Sequence, residues 1–176
     1  MVGVHLVDKM TPERRRMELE IERKFLMTGF PTELPLLRRV EIQQGYVSID
    51  PEVRIHKATN MDTGITNYRI TMKGEGDLTR VEIKNSLEKE FYEEAVKLVK
   101  YPMIQKEYRA YEIGEYILEV CLVDPGTENE FYYGEVEFPS EKEANEFEPI
   151  PCLGKEVTLN ANYKMKNYWL RTRADR

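Results

Sequence analysis

The stretch Glu18-Leu19-Glu20-Ile21-Glu22-Arg23-Lys24-Phe25-Leu26 decides how this chain is read. At period two it separates into two faces. Leu19, Ile21, Arg23 and Phe25 fall on one, and Glu18, Glu20, Glu22 and Lys24 on the other. Alternation of this length marks a β-strand. Carboxylates two residues apart on one strand face repel unless positive charge stands between them. Two readings follow from the strand alone. One is a solvent-washed face of an edge strand. The other is a face built to hold a divalent cation, with Lys24 placed for an anion beside it.

The rest of the chain supplies the context. Its 176 residues suffice for one domain with a real core. The 33% charged fraction is high, and the net charge of -6 argues against a general nucleic-acid binder. Two cysteines, Cys121 and Cys152, make no disulfide framework. The start of the chain lacks the apolar core of a signal peptide, and no apolar run approaches the roughly 20 residues of a membrane span. A soluble, cytoplasmic protein is expected, with no membrane or nucleic-acid partner and with a homodimer left open as an assembly.

Residues 1–17 read as an extension with one short helix at most, opened by Thr11 and Pro12, and residues 18–176 as a single domain. Strand patterns follow at 40–47, 52–57, 67–73, 78–84, 103–111, 115–123 and 131–138. Turn chemistry at Thr59–Gly64, Gly74–Asp77 and Asp124–Gly126 links several of them. Residues 86–100 change to helical spacing, with Phe91, Ala95, Leu98 and Val99 on one face and Asn85 or Ser86 as cap. Ser140 and Glu143 form a capping box, and residues 160–173 read as a terminal helix. About eight strands joined by turns, with helices outside them, favour an eight-stranded antiparallel β-barrel or a strongly curved sheet.

One strand face after another carries charge while the opposite face is apolar. Glu20, Glu22 and Lys24 are followed by Arg54 and His56, then Lys73, then Arg80, Glu82 and Lys84, then Lys106, Glu119, Glu135 and Glu137. An open sheet with one wet face gives the same pattern. If helices cover the apolar face, the charged face lines a lumen. Mixed charge there is costly unless the lumen is wet and liganded. Taken singly, His56 is as readily a hydrogen-bonded surface histidine as a lumen group, and Cys121 reads as a small buried residue.

These residues resemble the triphosphate tunnel metalloenzymes, the CYTH superfamily. Glu20-Ile21-Glu22-Arg23-Lys24 matches the family's ExExK signature. Val53-Arg54-Ile55-His56 resembles V-R-x-R, and Ile70-Thr71-Met72-Lys73-Gly74 resembles L-T-x-K-G. Arg80-Val81-Glu82 matches R-x-E, Glu135-Val136-Glu137-Phe138 matches E-x-E-F, and Leu153–Thr158 matches L-G-x-E-V-T. The resemblance runs in order over about residues 18–170.

It implies a tunnel-forming eight-stranded barrel, a triphosphate-containing small molecule as substrate, and Mg²⁺ or Mn²⁺ as cofactor. By position it implies metal ligation by Glu20, Glu22, Glu135 and Glu137. It implies phosphate binding by Lys24, Arg54, His56, Lys73, Arg80 and Lys106. Glu20, Glu22, Lys24 and Glu82 would carry catalysis. Hard oxygen donors suit such metals, and phosphoryl transfer rests on positioning and charge.

Three positions depart from the pattern. His56 and Tyr108 stand where the family has arginine, and Cys121 where it has an acid. Arg109 would join the phosphate set if its strand shifted by one residue, which would turn Lys106 away. Hydrolysis of a terminal phosphoanhydride is the leading expectation. Adenylyl cyclase chemistry and non-catalytic binding of a phosphorylated ligand are the alternatives.

Overall fold

The computed structural model describes residues 18–174. The short helix expected from Thr11 lies outside them. Eight strands run as β1 (Glu18–Met27), β2 (Leu36–Ser48), β3 (Glu52–Asn60), β4 (Thr66–Lys73), β5 (Thr79–Leu87), β6 (Ile104–Ile113), β7 (Tyr116–Val123) and β8 (Phe131–Glu137). They close into a barrel in the order β1-β5-β4-β3-β2-β6-β7-β8, every pair antiparallel. The helices are α1 (Lys89–Val96), α2 (Glu141–Glu146) and α3 (Met165–Arg173). The expected barrel is the observed one.

The strand that opened the sequence reading sits at a seam. Glu18 to Ile21 pair with β5, and Glu22 to Met27 pair with β8. Where β5 leaves its edge, the chain near the C-terminus takes over. Leu26 N donates to Lys155 O at 2.8 Å, Val157 N to Lys24 O at 2.8 Å, and Gly154 N to Leu26 O at 3.0 Å. A Cβ on Gly154 would stand 2.6 Å from Leu26 O, so the backbone approach itself demands glycine. Arg23 locks the seam from outside. It donates to Glu156 at 2.9 and 2.7 Å and to the carbonyls of Ala144 and Phe147 at 2.9 and 2.8 Å.

Apolar residues pack on both sides of the wall. Outside, Ile21, Phe25, Leu118, Val136 and Phe138 pack with Ala144 of α2, and Ile55 packs under Tyr92 and Ala95 of α1. Inside, Tyr46, Ile104, Tyr108, Ala110, Cys121, Val123 and Tyr133 pack against Met165, Tyr168 and Trp169 of α3. The register puts these strand residues on the lumen face, with Tyr46 across from Arg54 and Tyr108 across from Cys121. Helix α3 therefore closes the end of the barrel where β2 and β7 finish and β6 and β8 begin. Its Trp169 ring lies 5.3 Å from Tyr46 and 5.2 Å from Tyr101, and its Nε1 donates to Pro102 O at 2.7 Å.

Two helices differ from expectation. β5 runs on to Leu87, paired with Tyr68, so Asn85 and Ser86 lie in a strand and Glu88 caps α1. After Val96 the chain tightens, with Leu98 N and Val99 N each reaching back three residues. The terminal helix is interrupted at Lys164, whose backbone is extended between a 3₁₀ turn at Ala161–Tyr163 and α3. Its ammonium is tied to Asp77 at 2.7 Å and donates to Gly76 O at 2.9 Å. The Ser140 capping box forms as read, with Ser140 Oγ accepting from Glu143 N at 3.2 Å. Among the described residues no helix is long and apolar enough to cross a membrane.

Candidate active site

The barrel encloses a cavity of about 190 Å³. Period two on each strand aims its lining inward. Glu20, Glu22 and Lys24 come from β1, Glu52 and Arg54 from β3, Lys73 from β4, and Arg80, Glu82 and Lys84 from β5. Glu119 comes from β7, and Tyr133, Glu135 and Glu137 from β8. Tyr46, Asp77, Thr158, Asn160, Tyr163 and Lys164 complete much of the wall. Lys164 and its neighbours come from an irregular segment with no period to betray them.

Most of the charges are arranged in one linked set, with Lys24 and Glu135 as a separate pair. Lys73 Nζ donates to both Glu20 oxygens at 2.9 Å and lies 3.1 Å from Glu82 Oε1. Arg80 Nε donates to Glu20 Oε2 at 2.7 Å and its NH2 to Glu22 Oε1 at 3.1 Å. Lys24 pairs with Glu135 at 2.7 Å and donates to Tyr163 O at 3.1 Å. Lys84 pairs with Glu82.

Acidities follow from this layout. Burial works against the ionised Glu20, yet Lys73 and then Arg80 outweigh it and hold its pKa down to about 2. Glu22 goes the other way. Burial and the nearby Glu135 charge lift it to about 7. Glu135 is kept low against its own burial by Lys24. Glu119 and Glu137 are raised, chiefly by burial.

The cations of the β3 and β6 walls lack such partners. Among the described residues Arg54 makes no ion pair, and its buried Nε has no hydrogen-bond acceptor. A buried, unsatisfied guanidinium N–H is costly unless an anion meets it. Among the described residues Lys106 donates only to the Tyr133 hydroxyl, at 2.7 Å, and burial lowers its pKa to about 8. His56 also faces the interior. Burial and the charges of Arg54, Arg69, Lys106 and Lys84 push its pKa down to about 3, so it is neutral near pH 7.

Arg109 is the one proposed phosphate ligand that the fold turns away. β6 keeps its register, with Lys106 and Tyr108 inward, so Arg109 faces outward. There it stacks 3.9 Å from the Phe30 ring centre and donates to Glu107 at 2.9 and 2.6 Å.

No family model matches the chain. It is 31% identical over 150 residues, 84% of this chain and 94% of the relative, to an inorganic triphosphatase of Nitrosomonas europaea. This chain is a triphosphate tunnel metalloenzyme of the CYTH superfamily. A crystal structure of the inorganic triphosphatase NE1496 is similar over 86% of this chain and 97% of that one, with 28% identity and a TM-score of 0.59. An adenylyl cyclase candidate from Hippeastrum with dominant triphosphatase activity, HpAC1, shares the fold at 13% identity and a TM-score of 0.50, over 73% of this chain and 83% of that one.

Membership in the family implies a divalent metal. Carboxylate oxygens are the right donors for a hard cation. Among the described residues no three acids, histidines or cysteines already stand grouped to hold one. The crowding that raises Glu22 beside Glu135 is what a cation among them relieves, so the donor chemistry of this tunnel metalloenzyme fits. Two of its departures put uncharged groups in the wall where the family pattern has charge. Tyr108 Oη donates to Glu119 at 2.7 Å, and Cys121 is a buried thiol whose pKa burial raises.

Proposed function

We propose that the protein is a metal-dependent triphosphatase that removes the terminal phosphate of a triphosphate, with inorganic triphosphate the first candidate. The observation that carries this reading is Arg54, a buried cation with no carboxylate partner among the described residues, facing a cavity whose other lining cations each pair with a carboxylate. The curated inorganic triphosphatase at 31% identity supports the choice of substrate.

Glu20, Glu22, Glu135 and Glu137 would hold Mg²⁺ or Mn²⁺. When bound, the ion supplies positive charge to the phosphate oxygens. The chain's own cations then exchange partners. Lys73 and Arg80 clamp Glu20 in the unliganded cavity and would turn to phosphate oxygens if Glu20 and Glu22 held the ion. Arg54 and Lys106 meet phosphate oxygens without giving up a carboxylate. Phosphate also returns Lys106 toward its ordinary basicity, because a nearby anion favours the ammonium. Glu82, between Lys73 and Lys84, orients the attacking water. The water oxygen bonds to the terminal phosphorus as the bond to its bridging oxygen breaks, the electron pair of that bond leaves on pyrophosphate, and the water's proton passes to solvent. Positioning and charge stabilisation account for most of such catalysis.

Phosphate release from inorganic triphosphate and from ATP, each with Mg²⁺, Mn²⁺ or chelator, tests the proposal. The expected result is metal-dependent release that Glu20→Ala and Lys24→Ala abolish. Absence of release from both substrates overturns it, and cyclic AMP from ATP would replace it with cyclase chemistry.

A further inference from the structure

The two departures at arginine positions, Tyr108 and His56, each have an arginine on the adjacent strand. At Tyr108 it is Arg38 of β2. Arg38 NH2 donates to the Tyr108 hydroxyl at 2.8 Å, and the guanidinium lies 5.3 Å from the centre of the Tyr108 ring. The same NH2 is 3.5 Å from Glu119 Oε1, a cavity-lining oxygen. A guanidinium thus stands at the tip of the Tyr108 side chain, close to where an arginine at 108 would carry its own.

At His56 the neighbour is Arg69. The register sets the two directly across from each other, and period two puts Arg69 on the inner face with Thr71 and Lys73. Arg69 is exposed and has no ion pair among the described residues. Its charge is one of those that keep His56 neutral. Both arginines lie toward the end of the barrel remote from α3. A guanidinium fork grips phosphate oxygens in pairs, which neither a neutral imidazole nor a phenol can do.

We propose that Arg38 and Arg69 are substrate-binding residues at the open mouth, each supplying from an adjacent strand the cation missing at Tyr108 or His56. The inference rests on the triphosphatase reading. It makes the mouth cationic through two exposed side chains that can follow the outer phosphate as it enters and leaves. It also explains why a neutral residue is tolerated at 56: a third guanidinium beside Arg54 and Arg69 would add repulsion without adding a new contact.

Steady-state kinetics with inorganic triphosphate and Mg²⁺ on the full chain tests this, with melting temperatures as the folding control. Arg38→Ala and Arg69→Ala should each raise KM about tenfold, the size of one charge-assisted contact, with a smaller change in kcat. Moving the charge back should restore binding only in matched pairs. Tyr108→Arg should rescue Arg38→Ala, and His56→Arg should rescue Arg69→Ala. The crossed pairs should not. Arg38→Lys, which keeps the charge and loses the fork, should give an intermediate KM. Single variants with unchanged KM, or rescue by crossed pairs as good as by matched ones, overturn the inference and leave the triphosphatase reading intact. A wild-type protein that neither hydrolyses triphosphate nor binds it by calorimetry overturns both.

Discussion

The wall made by β1, β4 and β5 and the wall made by β2, β6 and β7 face one interior, yet they bury opposite chemistry. On the first, Glu20, Lys73, Arg80 and Glu82 pair with one another at 2.7 to 3.1 Å. On the second, Ile104, Ala110, Cys121 and Val123 pack against α3 like any protein core. The apolar wall keeps water from half of the charged one, which lowers the local dielectric and strengthens every charge contact across the cavity. Lys106 stands at the boundary, and its lowered pKa records the cost. The difference teaches that one wall provides stability and the other a binding surface whose ion pairs are exchangeable. Buried pairs of this kind contribute little net stability compared with apolar packing.

Breaking the charged wall should have the largest effect on activity. Lys73→Met removes a cation from Glu20 and Glu82 together. It should lower kcat for triphosphate by about 10²-fold or more, the usual scale for losing a preorganised charge contact, with a measurable fall in melting temperature. Breaking the apolar wall should read out in stability instead. Trp169→Ala should cost about 3–5 kcal/mol in urea unfolding, as large-to-small core changes do, while kcat per folded molecule changes far less.

The boundary gives a prediction of opposite sign. The pKa of Lys106 is about 8 in the fold, against 10.5 for the ordinary group. Between those values the unfolded chain binds a proton that the folded one does not, so stability rises with pH across that window. Below pH 8 the penalty is fully present. Lys106→Met should therefore stabilise the metal-free protein at pH 7 by about 1–3 kcal/mol while weakening triphosphate binding. The gain should shrink as unfolding is repeated from pH 8 to 10.5. The smallest effect lies outside both walls. Glu156→Gln at the partly exposed Arg23 pair should cost about 0.5 kcal/mol by thermal unfolding, with activity retained.

The charged wall was legible in the sequence because its strands alternate: Glu20, Glu22 and Lys24 against Ile21 and Phe25, and Arg80 and Glu82 against Val81. Period two then indicates which side chains share a face. The apolar wall was not legible. β7 is apolar on both faces, with Leu118 and Val120 outside and Cys121 and Val123 inside, and the inner face of β6 mixes Lys106 with Ile104, Tyr108 and Ala110, so alternation could not say which interior positions pack against α3. Alternation alone puts Arg69 on one face with Thr71 and Lys73, but its place opposite His56, like that of Arg38 beside Tyr108, is a property of register rather than of one strand. Lys164 sits in an extended break between two helical turns, where no period exists to place it.

The seam along β1 bears on how the molecule is made. Lys24 N bonds to Thr158 Oγ1 across 134 residues of chain, and beyond Glu22 the edge of β1 is filled by residues 154–157. During synthesis β1 emerges 134 residues before Thr158 of the segment that becomes its second neighbour on that edge. Contacts so distant in sequence make folding slow, and an unfilled strand edge is where nascent chains pair wrongly. Closure of this edge is thus timed by the arrival of residues 154–157, and a chain released short of residue 154 would lack the segment that completes the β1 edge.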